Sequence, residues 1–158
     1  MSRVIHILWA GRPERGAWEE LCRQYRQRIG HYRPIRDRSI RTQQIKDVKA
    51  RRRAEEKALL AALPDPAWVV ALDRRGKSIN SGDFASWLGN LSRDWPHPLV
   101  FVVGSDLGLG KGLLTTAQES FSLGRMTLPH QLARLVVYEQ LYRALSIAAG
   151  MKYHREPL

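Results

Sequence analysis

Pro98-Leu99-Val100-Phe101-Val102-Val103, running into Gly104-Ser105-Asp106-Leu107-Gly108, is the stretch that decides the fold. An apolar run without alternation is what a parallel strand covered on both faces requires. It ends in a glycine-rich turn, and open α/β sheets bind ligands beyond the carboxyl ends of their strands. The turn matches neither common phosphate-binding pattern. Gly104, Gly108, Gly110 and Gly112 are not spaced as G-x-G-x-x-G, and a Walker loop ending at Lys111 would need glycine where Ser105 stands. On its own the stretch reads equally well as a ligand-contacting loop and as a plain tight connection.

Working outward, the pattern repeats. Val4-Ile5-His6-Ile7-Leu8-Trp9 reads as a strand ending at Ala10-Gly11, and Trp68-Val69-Val70-Ala71-Leu72 as another, followed by a loop over Asp73–Lys77. Ile35–Ile40 forms a weaker strand. Helices are expected from Pro13 to about Ile29, from about Thr42 to Leu63, from a cap at Ser81 or Asp83 through Leu91, over Lys111–Ser120, and from Leu132 to Ala149. Arg125–Leu128 reads as a short strand. Ile45, Val48, Ala54, Ala58 and Leu59 give the second helix an incomplete apolar face, with Arg51-Arg52-Arg53 on its exposed side. The last helix is apolar around most of its circumference, which points to burial in a dimer interface. Strands alternating with helices make this an α/β chain with a mainly parallel sheet flanked by helices, and its 158 residues one domain, 1–158.

Composition narrows the classes. Hydrophobic residues make up 44% of the chain, enough for a packed core. One cysteine, Cys22, excludes an intrachain disulfide and fits a reducing, cytoplasmic setting. No stretch approaches the roughly 20 apolar residues of a membrane helix, and the N-terminus lacks the form of a secretory signal. The histidines show no metal-ligand spacing, so no metal is expected. The formal net charge is +11, carried mostly by residues 1–65, which hold 16 Lys+Arg against 8 Asp+Glu. Such an excess attracts polyanions, nucleic acid above all.

Three further features carry chemistry. His130 follows Pro129 at a helix start, where it either contacts a ligand or satisfies backbone groups. Asp73 reads as a turn residue before it reads as a catalytic acid. Tyr153-His154-Arg155 is an aromatic and cationic tail able to stack on a base, bond its edge and pair with phosphate.

Together these residues resemble the SPOUT-class large-subunit ribosomal RNA methyltransferase H family over essentially the whole chain. The likeness is strongest at Ala71-Leu72-Asp73 with Gly76-Lys77, at Phe101–Gly104, from Ser122 through Pro129-His130 to Arg134, at Glu139–Ala144 and at Tyr153-His154. The family usually has a second glycine after Gly104; here it is Ser105. The resemblance implies a trefoil knot in the C-terminal half and a homodimer. It also implies S-adenosylmethionine as methyl donor and methylation of a pseudouridine N3 in 23S rRNA, on the assembled ribosome. Carried over, the donor contacts fall on Leu72, Gly104, Leu123, Gly124, Arg125, Met126, Thr127 and Leu128. His130 and His154 are candidates to take the N3 proton, and Arg134 or Arg143 to stabilise the deprotonated ring. Arg134, Tyr142, His154 and Arg155 rank first on the acceptor side. A knotted tRNA methyltransferase and a noncatalytic ribosome-associated factor of the same fold are the alternatives.

Overall fold

A computed structural model describes residues 3–41 and 44–152. Five strands form one sheet in the order β2-β1-β4-β3-β5, every neighbouring pair parallel. They are β1 (Ile5–Ala10), β2 (Ile35–Ile40), β3 (Trp68–Ser78), β4 (Leu99–Val103) and β5 (Glu119–Ser122). The helices are α1 (Ala17–Gly30), α2 (Val48–Ala62), α3 (Ser81–Asp94), α4 (Lys111–Thr116) and α5 (His130–Ala148).

The central strand β4 explains the two-layer cover. All five of its residues are buried. Leu99, Phe101 and Val103 join the core beneath α1, α3 and α5, with Tyr138, Leu141, Phe84 and Cys22. Val100 and Val102 point the other way, into a core with Leu59 of α2 and Leu113 of α4. An apolar run without alternation is thus a strand with a helix layer on each side.

Several elements differ from the sequence reading, each for a local reason. Pro13 lies in the connection before α1, which starts only at Ala17, after Gly16 at φ 151°. Glu19 and Glu20 do occupy its first turn, at the positive end of the helix dipole. The second helix begins at Val48, because the Asp47 carboxylate accepts the Ala50 N–H at 2.9 Å and sets the start there. Val48 is then 57% exposed, while Glu55 is buried on the inner face. Asn80, not Ser81 or Asp83, caps α3 by accepting the Asp83 N–H at 2.8 Å.

The expected loop after Leu72 is strand. β3 pairs with β5 in two registers, Leu72 and Lys77 both facing Phe121, and residues Asp73, Arg74, Arg75 and Gly76 bulge out between them. Gly76 is needed at this bulge: a Cβ there would stand 2.7 Å from the Ser120 backbone. The helix expected over Lys111–Ser120 stops at Thr116, and β5 takes over at Glu119. Gln118 makes the change by bonding Val69 twice, its N–H donating to the Val69 carbonyl and its side-chain oxygen accepting the Val69 N–H. Arg125–Leu128 is irregular rather than a strand. Gly124 at φ 137° breaks the direction, and Met126 is 83% exposed, so nothing there pairs. α5 starts two residues earlier than expected, placing His130 in its first turn after Pro129. It packs against α1 and α3, burying Val137, Tyr138, Leu141 and Ala144.

Candidate active site

The sheet aligns its strand ends. Trp9, Val103, Leu72 and Phe121 lie side by side across β1, β4, β3 and β5. The segments leaving β4, β3 and β5 converge on one cleft of about 1210 Å³. The β3 bulge supplies Leu72–Arg75, the turn after β4 supplies Gly104–Lys111, and the segment after β5 supplies Leu123, Gly124, Met126, Thr127 and Leu128. His130 and Ala133 of α5 close the base. An apolar recess of about 400 Å³ adjoins it, sharing Leu72, Leu123 and Gly124 and bounded by Phe84, Phe101 and Phe121.

Each wall is fixed by identifiable contacts. A Cβ on Gly104 would stand 2.7 Å from the Gly108 backbone, so the turn folds back on itself only because position 104 has no side chain. The Gly108 N–H donates to the Ser105 carbonyl at 2.9 Å. The segment after β5 is held by Ser122, whose Oγ donates to the Gly124 carbonyl (2.9 Å) and accepts its N–H (3.1 Å). Arg74 ties two walls together by donating to Thr127 Oγ1 at 2.8 Å.

Helix α2 holds the third wall. Ser105 Oγ donates to Glu55 Oε2 at 2.7 Å and accepts the Leu107 N–H at 3.2 Å. Arg51 pairs with both Glu55 and Asp106, and Arg52 donates to the Leu107 carbonyl at 2.8 Å. Glu56 accepts the Leu113 N–H at 2.8 Å, and a Cβ on Gly110 or Gly112 would collide with its carboxylate. Ser105 is thus a tie between the turn and α2.

Beneath His130 lies a polar cluster. Asp37 of β2 accepts from Trp9 Nε1 (2.8 Å), Arg134 Nη2 (2.8 Å) and Tyr138 OH (2.5 Å). Arg134 is 2% exposed and its guanidinium carbon lies over Trp9, 3.9 Å from the ring centroid. Trp9 in turn stacks with His130, centroids 6.0 Å apart. Burial first, and then the Arg134 charge, push the His130 imidazole below its ordinary pKa, so it is neutral at pH 7. Burial, and then the negative Asp37, push the Tyr138 phenol up, keeping it a neutral donor. Burial works against the Arg134 charge, but Asp37, with Cys22 and Tyr138 behind it, turns the balance and the guanidinium stays ionised.

The sequence-derived residues therefore divide. Leu72, Gly104, Leu123, Gly124, Met126, Thr127, Leu128 and His130 line one cleft. Arg125 is exposed and does not line it. Arg134 sits behind it, held by Asp37. Tyr142 packs against Tyr25 and Tyr32 of the α1 side, ring centroids 6.1 and 6.3 Å away, and does not line the cleft. His154 and Arg155 lie outside the described residues. Sequence reasoning missed Asp37, Glu55 and Arg74. Asp37, a lone acid between Arg36 and Arg38, carries no motif that would single it out. Among the described residues no His/Cys/Asp/Glu group fits a metal, and no helix is long and apolar enough to cross a membrane.

Comparison with known proteins gives this geometry a family. A family model described as "Predicted SPOUT methyltransferase" matches residues 4–154. The ribosomal RNA large subunit methyltransferase H of Solidesulfovibrio magneticus is 40% identical over 96% of this chain and 99% of its own. The protein of that name from Gloeobacter violaceus is 38% identical, over 95% and 97%. A probable methylase family protein from Haemophilus influenzae shares the fold, with a TM-score of 0.55 at 11% identity, covering 99% of this chain and 72% of that one. The chain belongs to the SPOUT methyltransferases and, within them, to the ribosomal RNA large subunit methyltransferase H family.

Proposed function

We propose that this protein transfers a methyl group from S-adenosylmethionine to N3 of a pseudouridine in 23S rRNA of the assembled ribosome. The observation that carries the reading is the convergence of Leu72, Gly104 and residues 123–128 on one cleft beyond the carboxyl ends of three adjacent strands. The chemistry of the lining fits the donor. Leu72, Leu109, Leu123 and Leu128 offer apolar cover for an adenine, and the tight turn at Gly104 brings backbone groups to its edge.

Bound there, the donor supplies an electrophilic methyl on a sulfonium, so the protein's main work is alignment, worth about 7–11 kcal/mol in favourable cases. The bond that forms is N3–C and the bond that breaks is C–S, whose electron pair stays on sulfur. The N3 proton has to leave first. His130 lines the cleft with a neutral imidazole and is suited to accept it. Arg134 and Asp37 hold His130 from behind, through Trp9. His154, Tyr142 and Arg155 belong to the acceptor side in the same reading.

The protein works as a homodimer in the cytoplasm, where ribosomes are. Trp18 and Leu21 of α1, Tyr32 just after it and Ile147 of α5 are all more than a third exposed, which supports a second copy covering them. The knotted C-terminal path implied by the family is part of this reading. The test is transfer of labelled methyl to intact ribosomes, separated subunits, naked 23S rRNA and tRNA side by side. Label in 23S rRNA, greatest with intact ribosomes, is the expected result; label only in tRNA, or none, refutes the reading.

A further inference from the structure

Five cationic side chains, Arg52, Arg53, Arg74, Arg75 and Lys111, line the cleft from three elements that meet only in the folded chain: α2, the β3 bulge and the start of α4. Three carboxylates line it too, and each is already committed. Glu56 accepts the Leu113 N–H, Asp106 is paired with Arg51, and Asp73 accepts the Arg75 N–H at 3.2 Å. Among the described residues Arg52, Arg53, Arg74 and Lys111 have no carboxylate partner. Arg75 has only Asp73, at 3.4 Å, with its own side chain 76% exposed. The acids are engaged in holding the walls, while the cations keep a net positive charge around the cleft.

We infer that these side chains form a collar that docks RNA phosphates around the cleft, and so present one nucleotide to it. The inference rests on the methyl-transfer reading above and adds the surface that selects the substrate. A collar around the opening suits a phosphate chain passing on either side of one inserted base, and Arg and Lys from separate elements fix its register rather than its sequence. The β3 bulge is the piece that makes this possible. It carries Arg74 and Arg75 out between the two registers, where they line the cleft together with Arg52 and Arg53 of α2.

The experiment compares two triple variants. Arg53→Gln/Arg75→Gln/Lys111→Gln strips the collar but spares Arg52 and Arg74, which also hold cleft walls. Arg3→Gln/Arg36→Gln/Arg93→Gln removes the same charge at the amino end of the sheet, away from the cleft. Binding of a 23S rRNA fragment is followed against salt, with calorimetry of S-adenosylmethionine as the fold control. The collar triple is expected to lose about tenfold or more in RNA affinity and to flatten the log–log salt slope by about 2, at roughly 0.7 per phosphate contact. Its donor binding stays intact, and the second triple behaves as wild type in slope. Equal losses in both triples, or none in the collar triple, overturn the inference. So does a collar triple that loses affinity for ribosomal subunits but not for naked rRNA, which would assign the surface to a ribosomal protein. Collar-dependent RNA binding by a protein that transfers no methyl would leave the collar standing and sink the methyl-transfer reading instead.

Discussion

Asp37 receives hydrogen bonds from Trp9, Arg134 and Tyr138, with Arg26 a further 3.7 Å away, and only 15% of its side chain is exposed. Two guanidinium groups are therefore held near one largely enclosed carboxylate. Removing that carboxylate leaves the Arg134 charge buried with only Glu19, at 3.5 Å, for compensation. Breaking a buried pair from one side costs about 3–5 kcal/mol. Asp37→Ala should lower unfolding free energy in urea by about 3 kcal/mol. Asp37→Asn, which keeps an acceptor for Trp9 and Tyr138, should lose less; a loss in the alanine variant of under about 1 kcal/mol, the scale of a surface pair, would refute the role given to it. This cluster was not legible in the sequence. Asp37 lies 97 residues from Arg134 and 101 from Tyr138, and no local pattern couples positions so far apart. Arg134 was expected on the acceptor side from the family resemblance; it is buried over Trp9 and paired with Asp37, an environment no local pattern announces.

At the scale of elements, α2 both lines the cleft, with Arg52, Arg53 and Glu56, and holds the turn after β4. Arg53 lines the cleft, and the neighbouring turns hold the Gly104–Gly108 segment through Ser105–Glu55, Arg51–Asp106 and Arg52–Leu107. Ser105→Ala removes the hydroxyl that donates to the buried Glu55 carboxylate, leaving Glu55 with Arg51. A hydrogen bond to a charged group contributes about 1.5–3 kcal/mol. Part of that is lost from the ordered turn, so the donor's Kd should rise by about tenfold while kcat at saturating donor is unchanged. A fall in kcat with unchanged donor affinity would show that Ser105 acts elsewhere. The apolar strands β1, β3 and β4 were legible because continuous burial writes itself into composition. The β3 bulge and β5 were not. β5 is four residues of mixed character, Glu119-Ser120-Phe121-Ser122, and only its pairing with β3 makes it a strand.

For the whole molecule, the parallel α/β class followed from strand–helix alternation, and the cleft from three strand ends that a parallel sheet must bring to one edge. Eight of the residues expected in the site do line that cleft. Leu72 and Gly104 stand at the ends of strands that the sequence showed, whereas residues 123–128 came from the family resemblance; the order β2-β1-β4-β3-β5, which sets Leu72, Val103 and Phe121 in adjacent places, was not legible, since it depends on crossovers that leave no local mark. The lopsided charge of residues 1–65 also acquires a location, as α2 brings part of it to the cleft. The most direct measurement is a crystal structure of the protein grown with S-adenosylmethionine. Donor in contact with Leu72, Gly104 and the backbone of residues 123–128 together is the expected result. Donor seated anywhere else on the molecule, or touching only one of these three segments, would contradict it.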